Sequence, residues 1–129
     1  MLLIETYIQE SSIPNAGLGC FTKYEIKKGT KIWELNPFFD RIYTEDNLKN
    51  MTDLEIEFVK IYSFKHNGLY YLCIDNARFF NHSKENCNTL DPLNEYCTYA
   101  LVDIPADTEI LSDYSTFGSE ADIDFNTSL

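Results

Sequence analysis

Arg78-Phe79-Phe80-Asn81-His82-Ser83 follows a dense apolar run, Leu69 to Ile74, and turns polar at once after two phenylalanines. The apolar run has the length and aromatic content of a buried strand. At its far end Asn81 offers two donors and an acceptor, and His82 a donor and an acceptor through its ring nitrogens. Such a pair suits recognition of a heteroaromatic edge. A plain turn, in which Asn81, His82 and Ser83 satisfy local backbone groups, accounts for the same residues. Two other uses of His82 find little support. Nothing around Cys20 predicts the lowered thiol pKa that a Cys20–His82 nucleophilic pair needs. His82 with Cys87 is poorly spaced for a mixed metal site, and no metal is expected.

Working outward, the chain reads as short strands around one good helix. Leu2 to Gln9, Leu18 to Phe21, Lys31 to Leu35 and Phe38 to Tyr43 carry strand patterns, with turn-rich Ser11 to Gly17 between the first two. Thr52-Asp53-Leu54-Glu55 has the form of a capping box. Leu54, Phe58, Ile61 and Tyr62 then predict one apolar helical face. Asn67-Gly68 ends that helix and also opens a tight turn into the apolar run. Tyr96 to Ile104 and Glu109 to Tyr114 complete the strands. The fold class is mainly β, with several small sheets and one or two short helices.

Composition narrows the partners. Ten basic against 21 acidic side chains give a net charge of −11 in 129 residues, with 44% apolar and 15% aromatic residues. That supports one folded domain, assigned to residues 1–117, followed by a loosely held acidic tail over 118–129. So negative a chain is a poor match for a nucleic-acid backbone and a good one for basic proteins and peptides. No run of about twenty apolar residues predicts a membrane span. Met1-Leu2-Leu3-Ile4-Glu5 lacks a basic n-region, and the four cysteines show no close pairing. A reducing cytoplasm is the expected location.

Gly17-Leu18-Gly19 is on its own a weak signal, since Thr22 stands where a dinucleotide fingerprint needs its third glycine. Its position in a longer order matters more. Gly17-Leu18-Gly19-Cys20-Phe21, then Trp33-Glu34-Leu35-Asn36-Pro37, then Asp75-Asn76-Ala77-Arg78-Phe79 running into Asn81-His82-Ser83, then Glu109-Ile110-Leu111-Ser112-Asp113-Tyr114 resembles the SET-domain family of protein methyltransferases. The match is closest to the minimal, stand-alone bacterial members, and it runs from about Ser12 to Phe117.

That resemblance implies a β-clip fold of small sheets with a C-terminal pseudoknot. It implies transfer of a methyl group from S-adenosyl-L-methionine to a lysine amine of a basic protein or peptide. Gly17, Leu18 and Gly19 would line the methionine part of the cofactor through their backbone. Asn81 and His82 would meet its amino group and adenine edge, with the Arg78 to Phe80 backbone alongside. Tyr114 would be the catalytic tyrosine as well as a cofactor contact. An aromatic channel for the lysine would draw on Tyr62, Phe64, Tyr70 or Tyr71. The family's Asn-His-Ser element usually continues through Pro-Asn. Here no proline follows, and Asn86 and Asn88 both stand as candidates for the structural asparagine. Ser112 occupies a position where the family often has Phe or Tyr, which implies a roomier pocket. A non-catalytic module that binds the cofactor or a basic peptide would carry the same motifs, as would a methyltransferase for a small amine.

Overall fold

The computed structural model describes residues 1–92 and 94–113. Tyr114, the expected threading of the chain end and the expected tail therefore lie outside the described residues. The elements are β1 (Thr6–Glu10), β2 (Leu18–Thr22), β3 (Lys31–Glu34), β4 (Arg41–Tyr43), α1 (Glu45–Lys49), α2 (Asp53–Tyr62), β5 (Ser63–His66), β6 (Leu69–Leu72), a 3-10 turn (Asn76–Phe79), β7 (Asn81–His82), β8 (Thr89–Leu90), β9 (Cys97–Ala100) and β10 (Leu111–Ser112). They form four small sheets: β1–β2, β3–β9–β8, β4–β6–β5 and β7–β10. The mainly β class expected from the sequence is what is found. No helix among the described residues is long and apolar enough to cross a membrane.

Two apolar clusters hold the sheets together. Cys20, Ile26, Ile32, Trp33, Cys73, Ala77, Ala100, Ile104 and Ile110 form the main core, at the meeting of β2, β3, β6's end and β9. A second cluster, Leu48, Val59 and Tyr70, seats both helices on the β4–β6–β5 sheet. All four cysteines are free thiols. Cys20 is fully buried, and burial pushes its thiol up to about 12, which removes it as a nucleophile.

The helical region departs from expectation in three ways. The capping box of α2 forms as read: the Glu55 amide donates to Thr52 Oγ1 at 3.2 Å, and the Thr52 amide to Glu55 Oε1 at 2.8 Å. The buried face, however, is not Leu54–Phe58–Ile61–Tyr62. Val59 is buried and Ile56 packs beside it, whereas Leu54 is 78% exposed. The reason is α1, a short helix that the sequence reading missed and whose Leu48 shares the second apolar cluster with Val59. Its N-cap, Thr44, also forms a reciprocal box, but with Asn47 in place of the usual Glu or Gln. Finally, Asn67-Gly68 does not end α2. The helix stops at Tyr62, and both turn residues take positive φ (51° and 79°) to close a β5–β6 hairpin. That is the backbone a two-residue hairpin turn demands.

Several of the strands are shorter than the patterns suggested, although β2 runs one residue further, to Thr22. The first begins at Thr6, with Leu2 in an isolated bridge to Trp33, and the Tyr96 to Ile104 strand is reduced to Cys97–Ala100. Tyr96 itself has φ +53° and turns the chain into β9.

Replacing Val59 by Ala should cost about 2 kcal/mol in a urea titration, the scale for trimming a packed aliphatic side chain. Leu54→Ala should change the unfolding free energy by less than about 0.5 kcal/mol, as for other exposed positions. Equal losses would restore the face first expected from the sequence.

Candidate active site

Chain order keeps β2, β7 and residues 108–112 far apart, and the fold brings them together. Residues 108–110 pair with β2: the Thr22 amide donates to the Thr108 carbonyl (2.9 Å), and the Ile110 amide to that of Cys20 (2.8 Å). The chain then crosses to β7, where β10 runs parallel with Leu111 beside Asn81 and Ser112 beside His82. Asn88 clamps the far side. Its Nδ2 donates to the Glu109 carbonyl at 2.8 Å, and its Oδ1 accepts from the Leu111 amide at 2.9 Å. Among the described residues Asn88, not Asn86, makes these bridging side-chain bonds, whereas the Asn86 backbone amide closes the local turn on Ser83 Oγ.

At the centre stands Glu109, which is 5% exposed. Ser11 Oγ donates to its Oε2 (2.8 Å), Asn81 Nδ2 to the same oxygen (2.9 Å), and the Ser12 amide to Oε1 (2.9 Å), with the Ser12 hydroxyl adding a fourth bond. Burial pushes this carboxyl up. The hydrogen bonds from Ser12, Asn81 and Ser11 together outweigh burial and leave it below the ordinary glutamate value.

Asn81 is the joint between the elements. Its Nδ2 donates both to Glu109 and to the Leu18 carbonyl, the latter at 3.0 Å. With both amide hydrogens committed, the side chain has its Oδ1 acceptor left to offer a ligand. Gly19 explains itself here. A Cβ on it would lie 2.9 Å from Glu109 Cδ, closer still to Oε2, and 3.4 Å from Asn81 Nδ2. Glycine is required for space rather than for backbone freedom.

The other expected site residues sort into two groups. Gly17, Leu18 and His82 are exposed around this node, and Tyr114 follows two residues after Ser112. Phe80 packs half-buried on the main core. The Arg78 side chain is turned elsewhere: its Nη1 donates to the Ile74 carbonyl, and the guanidinium lies 4.8 Å from the Phe79 ring and 5.7 Å from that of Tyr62. Only its backbone remains for the role expected of it.

The aromatic candidates also separate. Tyr70 faces the helices and donates its hydroxyl to Glu45 (3.0 Å). Tyr62 sits against Phe58 and Phe79. Phe64 and Tyr71 stack at 5.1 Å and join Trp33 and Tyr96 in one cluster. Burial, then the Tyr96 hydroxyl beside it, pushes the Tyr71 phenol up to about 12.

Sequence reasoning missed Glu109, Ser11 and Ser12 as parts of the site. Glu109 opens the quoted Glu-x-x-x-Asp-Tyr element, so that element held the signal. The two serines looked like loop residues and carried none.

The SET-domain family model matches residues 17–115. No curated protein matches the sequence. Solved structures do. The apo polycomb repressive complex 2 of Chaetomium thermophilum, with two substitutions in its Ezh2, is 19% identical at a TM-score of 0.66, with 88% of this chain and 15% of that chain covered. The same fungal complex in an autoinhibited conformation bound to S-adenosylmethionine gives 18%, 0.64, 90% and 16%. A Plasmodium falciparum protein proposed to be a histone methyltransferase gives 22%, 0.59, 88% and 95%. This chain thus spans about 15% of the length of the fungal chains and nearly all of the Plasmodium one.

Glu109→Gln should cost about 1–3 kcal/mol at pH 7, the scale of hydrogen bonds to a buried charge. A carboxyl held low in the fold stabilises above its unfolded value, near 4.5, and that stability is lost as pH falls through the lower folded value. The deficit of the variant should therefore shrink steadily below pH 4.5 in pH-resolved denaturant titrations. A deficit independent of pH would refute the charged node. Gly19→Ala should lose about 1–3 kcal/mol by overpacking against the same carboxylate.

Proposed function

Because the chain belongs to the SET-domain family, we propose that it is a methyltransferase that uses S-adenosyl-L-methionine to methylate a lysine side chain of a basic protein. The observation that carries this reading is Asn81, whose amide ties the Leu18 carbonyl to Glu109 while β7 lies beside β10. These hydrogen bonds join three elements remote in sequence into one cradle.

The residues around that cradle fit the cofactor chemically. An amino group needs acceptors, and the Asn81 Oδ1 and the backbone carbonyls of Gly17 to Gly19 supply that type of atom. An adenine edge needs a donor and an acceptor, which His82 and the Arg78 to Phe80 backbone supply. When bound, S-adenosylmethionine would provide an electrophilic methyl on a cationic sulfur.

The protein's part is alignment, exclusion of water and control of a proton. Reaction in line requires the amine and the methyl to be held at fixed separation, which is worth many orders of magnitude when the geometry is prepaid. Lysine arrives protonated and must lose its proton to attack. Desolvation between aromatic walls disfavours the ammonium form. We assign that wall to Phe64 and Tyr71, the two of the four aromatic candidates that stack together. Tyr114 would hold the amine and the methyl through its hydroxyl without forming a covalent intermediate. Ser112 is 1% exposed and its Oγ lies 3.3 Å from that of Thr89, so the small side chain is fixed in place. The chain's net charge of −11 favours encounter with basic protein segments. Four free thiols suit a reducing compartment, which we take to be the cytoplasm.

Incubation with isotopically labelled S-adenosylmethionine and a panel of basic proteins tests the proposal. Label should appear on lysine by mass spectrometry, and Tyr114→Phe should retain cofactor binding while losing at least about 100-fold in transfer, the scale for a positioned hydroxyl. Cofactor binding with no product across the panel would favour the non-catalytic module. Full activity in Tyr114→Phe would refute the role given to the phenol.

A further inference from the structure

Asn81, Glu109, Ser11 and Leu18 close a ring of hydrogen bonds. Asn81 Nδ2 donates to Glu109 Oε2 (2.9 Å), and Ser11 Oγ donates to the same oxygen (2.8 Å). The Ser11 amide donates to the Gly17 carbonyl (2.8 Å), and the next carbonyl along, that of Leu18, accepts from Asn81 Nδ2 (3.0 Å). The two groups that Asn81 meets are thus a carboxylate and a carbonyl. Neither can donate, so the side-chain amide has one orientation, with its nitrogen toward the ring and its oxygen turned away from it. A reversed amide would set its oxygen against both acceptors and present NH2 instead.

An amide oxygen suits an ammonium and an amide NH2 suits a carboxylate, and the methionine part of S-adenosylmethionine carries one of each. We infer that Glu109 is a positioning residue for the cofactor: by holding the Asn81 amide in one orientation, it selects the amine as the end of that amino acid which Asn81 meets. The cofactor is the one proposed above, and this role rests on that reading; the ring of hydrogen bonds stands apart from it. Glu109 is 5% exposed and acts only through Asn81. Its ionised form is what suits the place, because every group that meets it donates: the Ser12 amide and hydroxyl at Oε1, Ser11 and Asn81 at Oε2. Burial raises this carboxyl, but the hydrogen bonds outweigh burial and keep it ionised at neutral pH. A glutamine there brings an NH2 that must face one of the two pairs. The Ser12 backbone amide is a fixed donor. The hydroxyls and the Asn81 side chain can turn over, so the glutamine oxygen goes to Ser12 and its nitrogen reverses Asn81, at the cost of the bond to Leu18.

The full chain is titrated calorimetrically at neutral pH with S-adenosylhomocysteine and with its deaminated analogue, which lacks only the amine. The parent should bind the first at least about tenfold tighter, about 1.4 kcal/mol, the scale of a hydrogen bond to a charged group. In Glu109→Gln, measured below its melting temperature, that ratio should fall under about threefold. Lost packing alone weakens both ligands alike and leaves the ratio where it was. A folded Glu109→Gln that keeps the parent's ratio therefore overturns the role. Asn81→Ala should abolish the ratio as well, and adding Glu109→Gln to it should change the ratio no further. A further change overturns the route through Asn81. Should Glu109→Gln fail to fold, magnetic resonance of the parent gives a second readout. The Asn81 amide proton bonded to Glu109 should stay protected from exchange when S-adenosylhomocysteine binds. Loss of that protection shows the amide leaving Glu109 for the ligand and overturns the role. Equal binding of both ligands by the parent removes the role and leaves the cofactor reading in place, whereas binding of neither removes both.

Discussion

The hydrogen bonds that converge on the Glu109 carboxylate tie the site together. Bringing a carboxylate out of water costs several kcal/mol unless its oxygens are answered by good donors. Here Ser11 and Ser12 from one stretch of chain and Asn81 from another answer them. The cost of leaving that charge unanswered is what fixes the loop before β2, the end of the β6-to-β7 connection and the last described strand in one arrangement. Sheets of two and three strands could not impose such a register alone, because a two-stranded pairing is marginal in water.

Around that node the backbone provides continuity. Residues 108–112 exchange hydrogen bonds with β2 on one side and with β7 and Asn88 on the other, so a single extended segment belongs to two sheets. Gly19 sits at the crossing, where any side chain would displace the carboxylate. The cradle is therefore made mostly of main chain and two committed side chains, with Leu18 and His82 exposed beside it. A cradle built this way is held by its own hydrogen bonds, and alignment is the chief requirement of the methyl transfer proposed for it.

Much of this was legible from sequence, and what was not has physical causes. The Asn81-His82-Ser83 and Glu109-to-Tyr114 elements could be paired by their order along the chain, and the Thr52 capping box set the start of α2. The buried face of that helix could not be read from periodicity, since Leu54 and Phe58 are as apolar as Ile56 and Val59. Which pair is covered depends on α1, whose Asn47 cap departs from the usual signature. The role of Ser11 and Ser12 was invisible because their partner lies 97 or more residues away. Long-range hydrogen bonds leave no local pattern. Asp91 was missed for a similar reason: nothing next to it in the sequence marks a carboxylate that the fold buries to 4% exposure.

The two buried carboxylates, Glu109 and Asp91, have opposite fates for one reason. Four donors meet Glu109, and its proton is held less tightly than in water; one donor meets Asp91, and burial dominates, so its proton is held more tightly. Environments that drive like groups apart in this way divide their labour. Glu109 has spent its charge on structure and has little left for a ligand.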